Sequence, residues 1–93
     1  MIVGVLKVSL LLRESHSLKD KRRVVRSIKD RVRSRLNVAI SEVDSQDFHQ
    51  RADLGAVTVS GSRTRAEQVL TDVLKIIDRA PMAERFDTEV EYL

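Results

Sequence analysis

The chain has 93 residues, no cysteine, and 17 basic against 14 acidic residues, for a net charge of +3. That length makes one domain with a single core, and the lack of cysteine excludes disulfides, thiolate chemistry and cysteine metal sites. The charge is unevenly placed: residues 1–16 sum to +1, residues 17–36 to +7 and residues 37–93 to −5.

Ile2–Leu12 is short, apolar and rich in Val and Leu, which predicts a buried central strand. Leu6, Val8 and Leu10 point to the core, and Lys7 and Ser9 share the less buried face. The run lacks a basic leader and a small-residue cleavage site, and it falls far short of the roughly 20 residues of a membrane span. A cytoplasmic protein with no membrane segment is the expectation.

Ser17–Leu36 predicts one amphipathic helix. Leu18, Val25, Ile28, Val32 and Leu36, with Val24 beside them, draw a stripe of helical period. Ser17 is a good N-cap, and Asp20 is a shortened capping-box acid. The other faces carry nine basic residues: Lys19, Lys21, Arg22, Arg23, Arg26, Lys29, Arg31, Arg33 and Arg35. Arg22, Arg26, Lys29 and Arg33 form one row, flanked by Lys19 and Arg23. Like-charge neighbours in that row cost an isolated helix roughly 1–2 kcal/mol in total. A docked polyanion would turn this repulsion into attraction, whereas the plainer reading is a solvated, solubilising face. Twelve arginines against five lysines suit bidentate recognition of phosphate or carboxylate; genome base composition or heat adaptation gives the same bias.

Asn37 fits a left-handed residue closing the helix. Val38–Asp44 predicts a second strand, with Val38 and Ile40 inward and Ala39, Ser41 and Val43 outward. Asp44–Asp53 is a polar loop, long for a hairpin. Leu54–Ser60 predicts a third strand, with Val57 and Val59 inward and Ala56, Thr58 and Ser60 outward. Gly61 and Ser62 turn the chain, and Thr64 with Glu67 makes a capping box for a second helix that runs to about Ala80. Pro81 stops it. Phe86–Leu93 is a final strand with Asp87, Glu89 and Glu91 on one face and Phe86, Val90 and Tyr92 on the other.

The order β-α-β-β-α-β predicts an α+β, ferredoxin-like sandwich, with a four-stranded antiparallel sheet covered on one face by two helices. Right-handed crossovers put strands one and three in the centre. Such a fold hosts many unrelated functions.

Two blocks, SLKDKRRVVRSIKDR and EVDSQDFHQRADLG (Glu42 to Gly55), resemble the small YlxP-like bacterial proteins, an uncharacterised domain family, and the likeness covers the whole chain. The family pattern before the third strand is Glu-Val/Ile-Asp-x-Gln-Asp-x-Trp-Gln-Arg. Here His49 takes the tryptophan position and Phe48 precedes it, which removes an indole able to stack on bases. The resemblance implies a ferredoxin-like fold and a genomic setting beside translation initiation factor two and a ribosome-binding factor. It implies no established activity, cofactor or ligand.

In the loop, Asp44, Gln46, Asp47, His49, Gln50 and Arg51 are the residues of possible function. Glu42, Asp44, Asp47, His49 and Asp53, with His16 elsewhere, could supply acid/base groups or metal ligands. No spacing fixes their convergence, and no metalloprotease, EF-hand, phosphate-loop or serine-elbow pattern is present. No catalytic residue, metal site or cofactor is therefore assigned. The structural alternative has Asp44 and Asp47 in Asx turns, Gln46 and Gln50 satisfying backbone groups, and Arg51 paired with Asp47, Asp53 or Glu42. Phe48 then serves as an apolar plug beneath the loop, against the alternative of a nucleobase platform. The open sheet face offers no aromatic for the base stacking used by single-stranded RNA binders of this fold.

These observations lead to a non-enzymatic RNA- or ribosome-associated module that contacts phosphates through Lys19, Arg22, Arg23, Arg26, Lys29 and Arg33. The alternative is a structural or regulatory module whose basic helix meets an acidic protein. A small enzyme with a His/Asp loop site stands third. Self-association, if any, is expected through the open sheet face, partly apolar through Val3, Val5, Leu11 and Val43, or through an edge strand.

Overall fold

The hydroxyl of Ser17 accepts from Asp20 N at 3.1 Å, and the Asp20 carboxylate accepts from His16 N at 2.9 Å. The pair closes the start of the first helix reciprocally, with the short acid reaching the residue before the cap. A computed structural model describes residues 1–93. Its elements are β1 (Ile2–Leu11), α1 (Leu18–Arg35), β2 (Ala39–Asp44), β3 (Arg51–Ser60), α2 (Arg63–Asp78) and β4 (Glu84–Tyr92). The sheet order is β2-β3-β1-β4, and every neighbouring pair is antiparallel. This is the ferredoxin-like sandwich.

The core lies between the sheet and the two helices. Leu6, Val8 and Leu10 of β1 meet Val25, Ile28 and Val32 of α1 and Leu70, Val73 and Ile77 of α2 in one buried cluster. β3 faces the opposite way from the expectation. Ala52, Leu54, Ala56 and Thr58 point to the helices and are buried, while Val57 and Val59 lie on the open face. Register demands it, because Ala56 pairs with Leu6 and with Ile40, both core residues. Small alanines under the helices let them settle close to the central strand, and the β-branched valines tolerate the half-solvated outer face. Thr58 also donates to the Asn37 carbonyl at 3.2 Å.

Three further details depart from the sequence reading. Asn37 is not left-handed; Leu36 leaves the helix in an extended conformation, and the one non-glycine residue with positive φ is Ser45, at 58°. The second helix is capped by Ser62, which accepts from Arg65 N at 3.2 Å, and Glu67 instead pairs with Arg63 at 2.9 Å. Phe86 leaves the Val90–Tyr92 face at a bulge: Ser9 pairs with Asp87 but Leu10 with Arg85, so Phe86 is an extra residue in β4. Its ring lies 5.2 Å from the Arg51 guanidinium, on the open face. That face therefore has an aromatic, with Asp87, Glu89 and Glu91 beside it.

A second bulge makes Val43 the extra residue of β2. Its side chain lies over Gly55, where an added Cβ would come within 3.0 Å of it. No helix of the chain is long and apolar enough to cross a membrane.

Candidate functional site

The connection between β2 and β3 is shorter than the sequence suggests, because β3 already begins at Arg51. Residues 45–50 are held from below by a side chain not singled out in the sequence. Lys21, on the buried face of α1 and 1% exposed, donates from Nζ to the carbonyls of Ser45 (2.8 Å), Gln46 (3.2 Å) and Arg51 (3.2 Å). Glu42 Oε2 lies 2.8 Å from the same nitrogen. Three carbonyls take the three ammonium protons, so Glu42 is held by charge and its Oε2 has no aligned donor of its own. The signal was available: Leu18, Lys21, Val25, Ile28 and Val32 run at spacings of three and four, so the lysine occupies a stripe position.

On the other side of the sheet Asp53, 1% exposed, ties the loop to the central strands. Ser9 and Ser45 donate their hydroxyl protons to its two oxygens, and Arg51 Nε donates at 3.0 Å. Burial alone would raise this carboxyl, but the bonds from Arg51, Ser45 and Ser9 and the Arg51 charge hold it well below the usual carboxylate range. Ser9 is thus buried on the face expected to be the less buried one. The same logic joins α2 to β4, where Arg85 grips Asp78 through two bonds of 2.8 Å. Those hydrogen bonds lower the Asp78 pKa.

The remaining loop residues do not converge. Asp44 accepts from Ser45 N, and Gln50 donates to the Arg13 carbonyl at 3.2 Å. Gln46, Asp47, Phe48 and His49 are exposed, and no group of three or more His, Asp and Glu side chains is placed to hold a metal ion. Phe48 is 65% exposed, so it does not plug the loop from beneath.

The cationic row is real as geometry. Lys19, Arg22, Arg23, Arg26 and Arg33 are exposed and Lys29 half-buried. Arg33 also donates to the Ile40 carbonyl of β2 at 2.8 Å, which tethers the end of the row to the sheet. Of the nine α1 cations, Lys21 alone has an acid within 4.0 Å; elsewhere Arg13, Arg51, Arg63, Lys75 and Arg85 each have one. Between α1 and the segment after α2, Arg23 and Arg31 border a groove of about 240 Å³ floored by Val24, Ile28, Ala80, Pro81 and Met82.

Comparison with solved structures supports the fold alone. The de novo designed protein Foldit4 aligns over 100% of this chain and 97% of its own, with a TM-score of 0.58 at 17% identity. A second de novo design, described as having a ferredoxin fold, aligns over 100% of this chain and 84% of its own, with a TM-score of 0.51 at 11% identity. In sequence, the chain is 38% identical to the uncharacterized protein YlxP of Bacillus subtilis (strain 168) over 91 residues, covering 98% of this chain and 99% of that protein. Residues 3–90 match the family described as "Protein of unknown function (DUF503)". The two sequence blocks that carry the resemblance thus meet at Lys21, and the chain belongs to this YlxP-like family.

Proposed function

We propose that the protein is a non-enzymatic RNA-binding module that works in association with the ribosome in the cytoplasm, and that the outer face of α1 is its phosphate-contacting surface. The observation that carries this reading is the row of cations without acids. Every α1 cation except the buried Lys21 lacks an ion-pair partner, although the protein has 14 acidic residues and uses them on most of its other cations. Arg22 to Arg33 spans eleven residues, roughly 16 Å at 1.5 Å per residue, enough for several consecutive phosphates. Neither aromatic nor apolar anchors interrupt the row, which suits a phosphodiester backbone better than a protein interface with its apolar centre. The acids Asp87, Glu89 and Glu91 make the open sheet face a poor seat for RNA.

The test is RNA affinity as a function of salt. If about four phosphates are neutralised, log affinity against log salt falls with a slope of about −3 to −4. Arg26→Glu with Lys29→Glu lowers affinity for all sequences alike and flattens the slope, with thermal stability kept or slightly raised. Unchanged binding in that double variant refutes the reading. The groove beside Arg23 and Arg31 favours a second one, in which an acidic, partly apolar protein segment docks there; a partner retained on the protein after nuclease treatment supports it.

A further inference from the structure

Of the three aromatic side chains, two have a cation over the ring: Phe86 lies under Arg51 at 5.2 Å and Tyr92 under Arg63 at 3.9 Å. Phe48 has none and turns 65% of its surface to solvent at the tip of the β2–β3 connection. We propose that Phe48 is a nucleobase-stacking platform at the head of the α1 cationic row, so that the RNA this protein takes is single-stranded, with one base on Phe48 and the neighbouring phosphates on Arg22, Arg26 and Lys29. The inference rests on the reading of α1 as the RNA-contacting face and names the form of RNA.

The backbone that carries Phe48 is tied to the first turns of α1. The Ser45 carbonyl accepts from both Phe48 N, at 3.0 Å, and Lys21 Nζ, at 2.8 Å. Lys21 precedes Arg22 on the first turns of α1, so the loop tip and the head of the row share one anchor. The Gln50 carbonyl accepts from Leu12 N at 2.8 Å, and the Ser45 hydroxyl is bound to Asp53. With both flanks tied, little ordering entropy is left to lose when a base lands on the ring.

The surroundings argue for a base and against an apolar protein anchor. Its sequence neighbours Gln46, Asp47, His49 and Gln50 are polar and exposed, unlike the apolar surround of a protein hot spot. Asp44 and Asp47 make the loop itself unfavourable for phosphate, which leaves a base as the group that it receives. Single strands offer free base faces next to their phosphates, and duplexes keep theirs stacked.

The experiment compares a short single-stranded RNA with a duplex of equal length, each titrated against wild type, Phe48→Ala, Phe48→Trp and the Arg26→Glu/Lys29→Glu variant. Phe48→Ala lowers single-strand affinity roughly tenfold, leaves duplex affinity and the salt slope unchanged, and melts with the wild type because the ring is exposed. Phe48→Trp retains affinity, and its indole emission is quenched by the single strand. If Phe48→Ala binds single strands like wild type, or loses single strand and duplex equally, this inference falls. Loss of binding in the helix variant alone leaves the proposed function standing without it, and wild-type binding in both variants removes both.

Discussion

The two helices occupy equivalent places over the same sheet, and both bury an apolar stripe, yet their outer faces are built differently. α2 (Arg63–Asp78) pairs most of its charges, through Arg63–Glu67 at 2.9 Å and the looser Lys75–Asp72 at 4.0 Å within the helix and through Asp78–Arg85 to β4. α1 has acids at Asp20 and Asp30 only, and Asp20 is engaged in the helix cap. A helix designed only for burial and solubility can have either face. The difference shows that mutual neutralisation is available to this fold and is not used on α1.

The largest test of the comparison concerns the faces that are alike. Ile28→Asp puts a charge at a position 1% exposed in the shared core and is expected to unfold the domain in a circular-dichroism melt. Arg26→Glu, two residues away on the outer face, changes stability by no more than about 0.5 kcal/mol. Equal damage from the two changes would mean that the helix is oriented differently.

Next in size is the one α1 cation that is paired. Lys21→Met leaves Glu42 without its counter-charge and three carbonyls without a donor, and is expected to cost about 3–5 kcal/mol in denaturant titration. Adding Glu42→Gln should recover part of that loss. A Lys21→Met protein as stable as wild type would show that the lysine is a passenger.

Two carboxylates held by arginines predict a pH dependence. Asp53 and Asp78 both have folded pKa values below their ordinary ones. The unfolded chain therefore takes up protons first on acidification, and the stability these groups provide is present above about pH 5 and lost as pH falls through the unfolded value near 3.9 toward the folded one. Asp53→Asn should be less stable at pH 7 and show a shallower decline between about pH 5 and pH 2 in thermal melts. A decline as steep as wild type would remove Asp53 from the cause.

The smallest expected effect sharpens the comparison most. Arg65→Glu with Lys75→Glu on α2 changes the net charge of +3 by the same amount as Arg26→Glu with Lys29→Glu on α1. RNA binding should hardly respond to the α2 pair, and stability should shift by no more than about 0.5 kcal/mol. Equal loss of binding from both pairs would show that only overall charge matters.

Element order and the orientation of β1, α1 and β2 were legible because their apolar periods are unambiguous. β3 was not, since both its faces are apolar: Ala52, Leu54 and Ala56 alternate with Gly55, Val57 and Val59, and only pairing with Leu6 selects the inner set. Phe86 was misplaced because strand alternation carries no information across a bulge. The cationic row could be placed by helical spacing, whereas Lys21 was counted with the outward charges although its spacing puts it on the stripe. Asp53 and Ser9 could not be linked from sequence, because their contact depends on the register of two strands far apart in the chain.

The clamp at Lys21 also bears on where this protein can be cut and extended. Exposed loops between strands are ordinarily the places that accept inserted tags, new termini and proteolytic nicks. The connection at residues 45–50 has that outward look, but three carbonyls there and at Arg51 must meet one ammonium at fixed positions. A single inserted residue would bring different carbonyls to the lysine and loosen the start of α1 as well as the loop. The turn before α2 is the connection to open, at Gly61 and ahead of the Ser62 cap, because an added Cβ on Gly61 meets nothing within 4 Å.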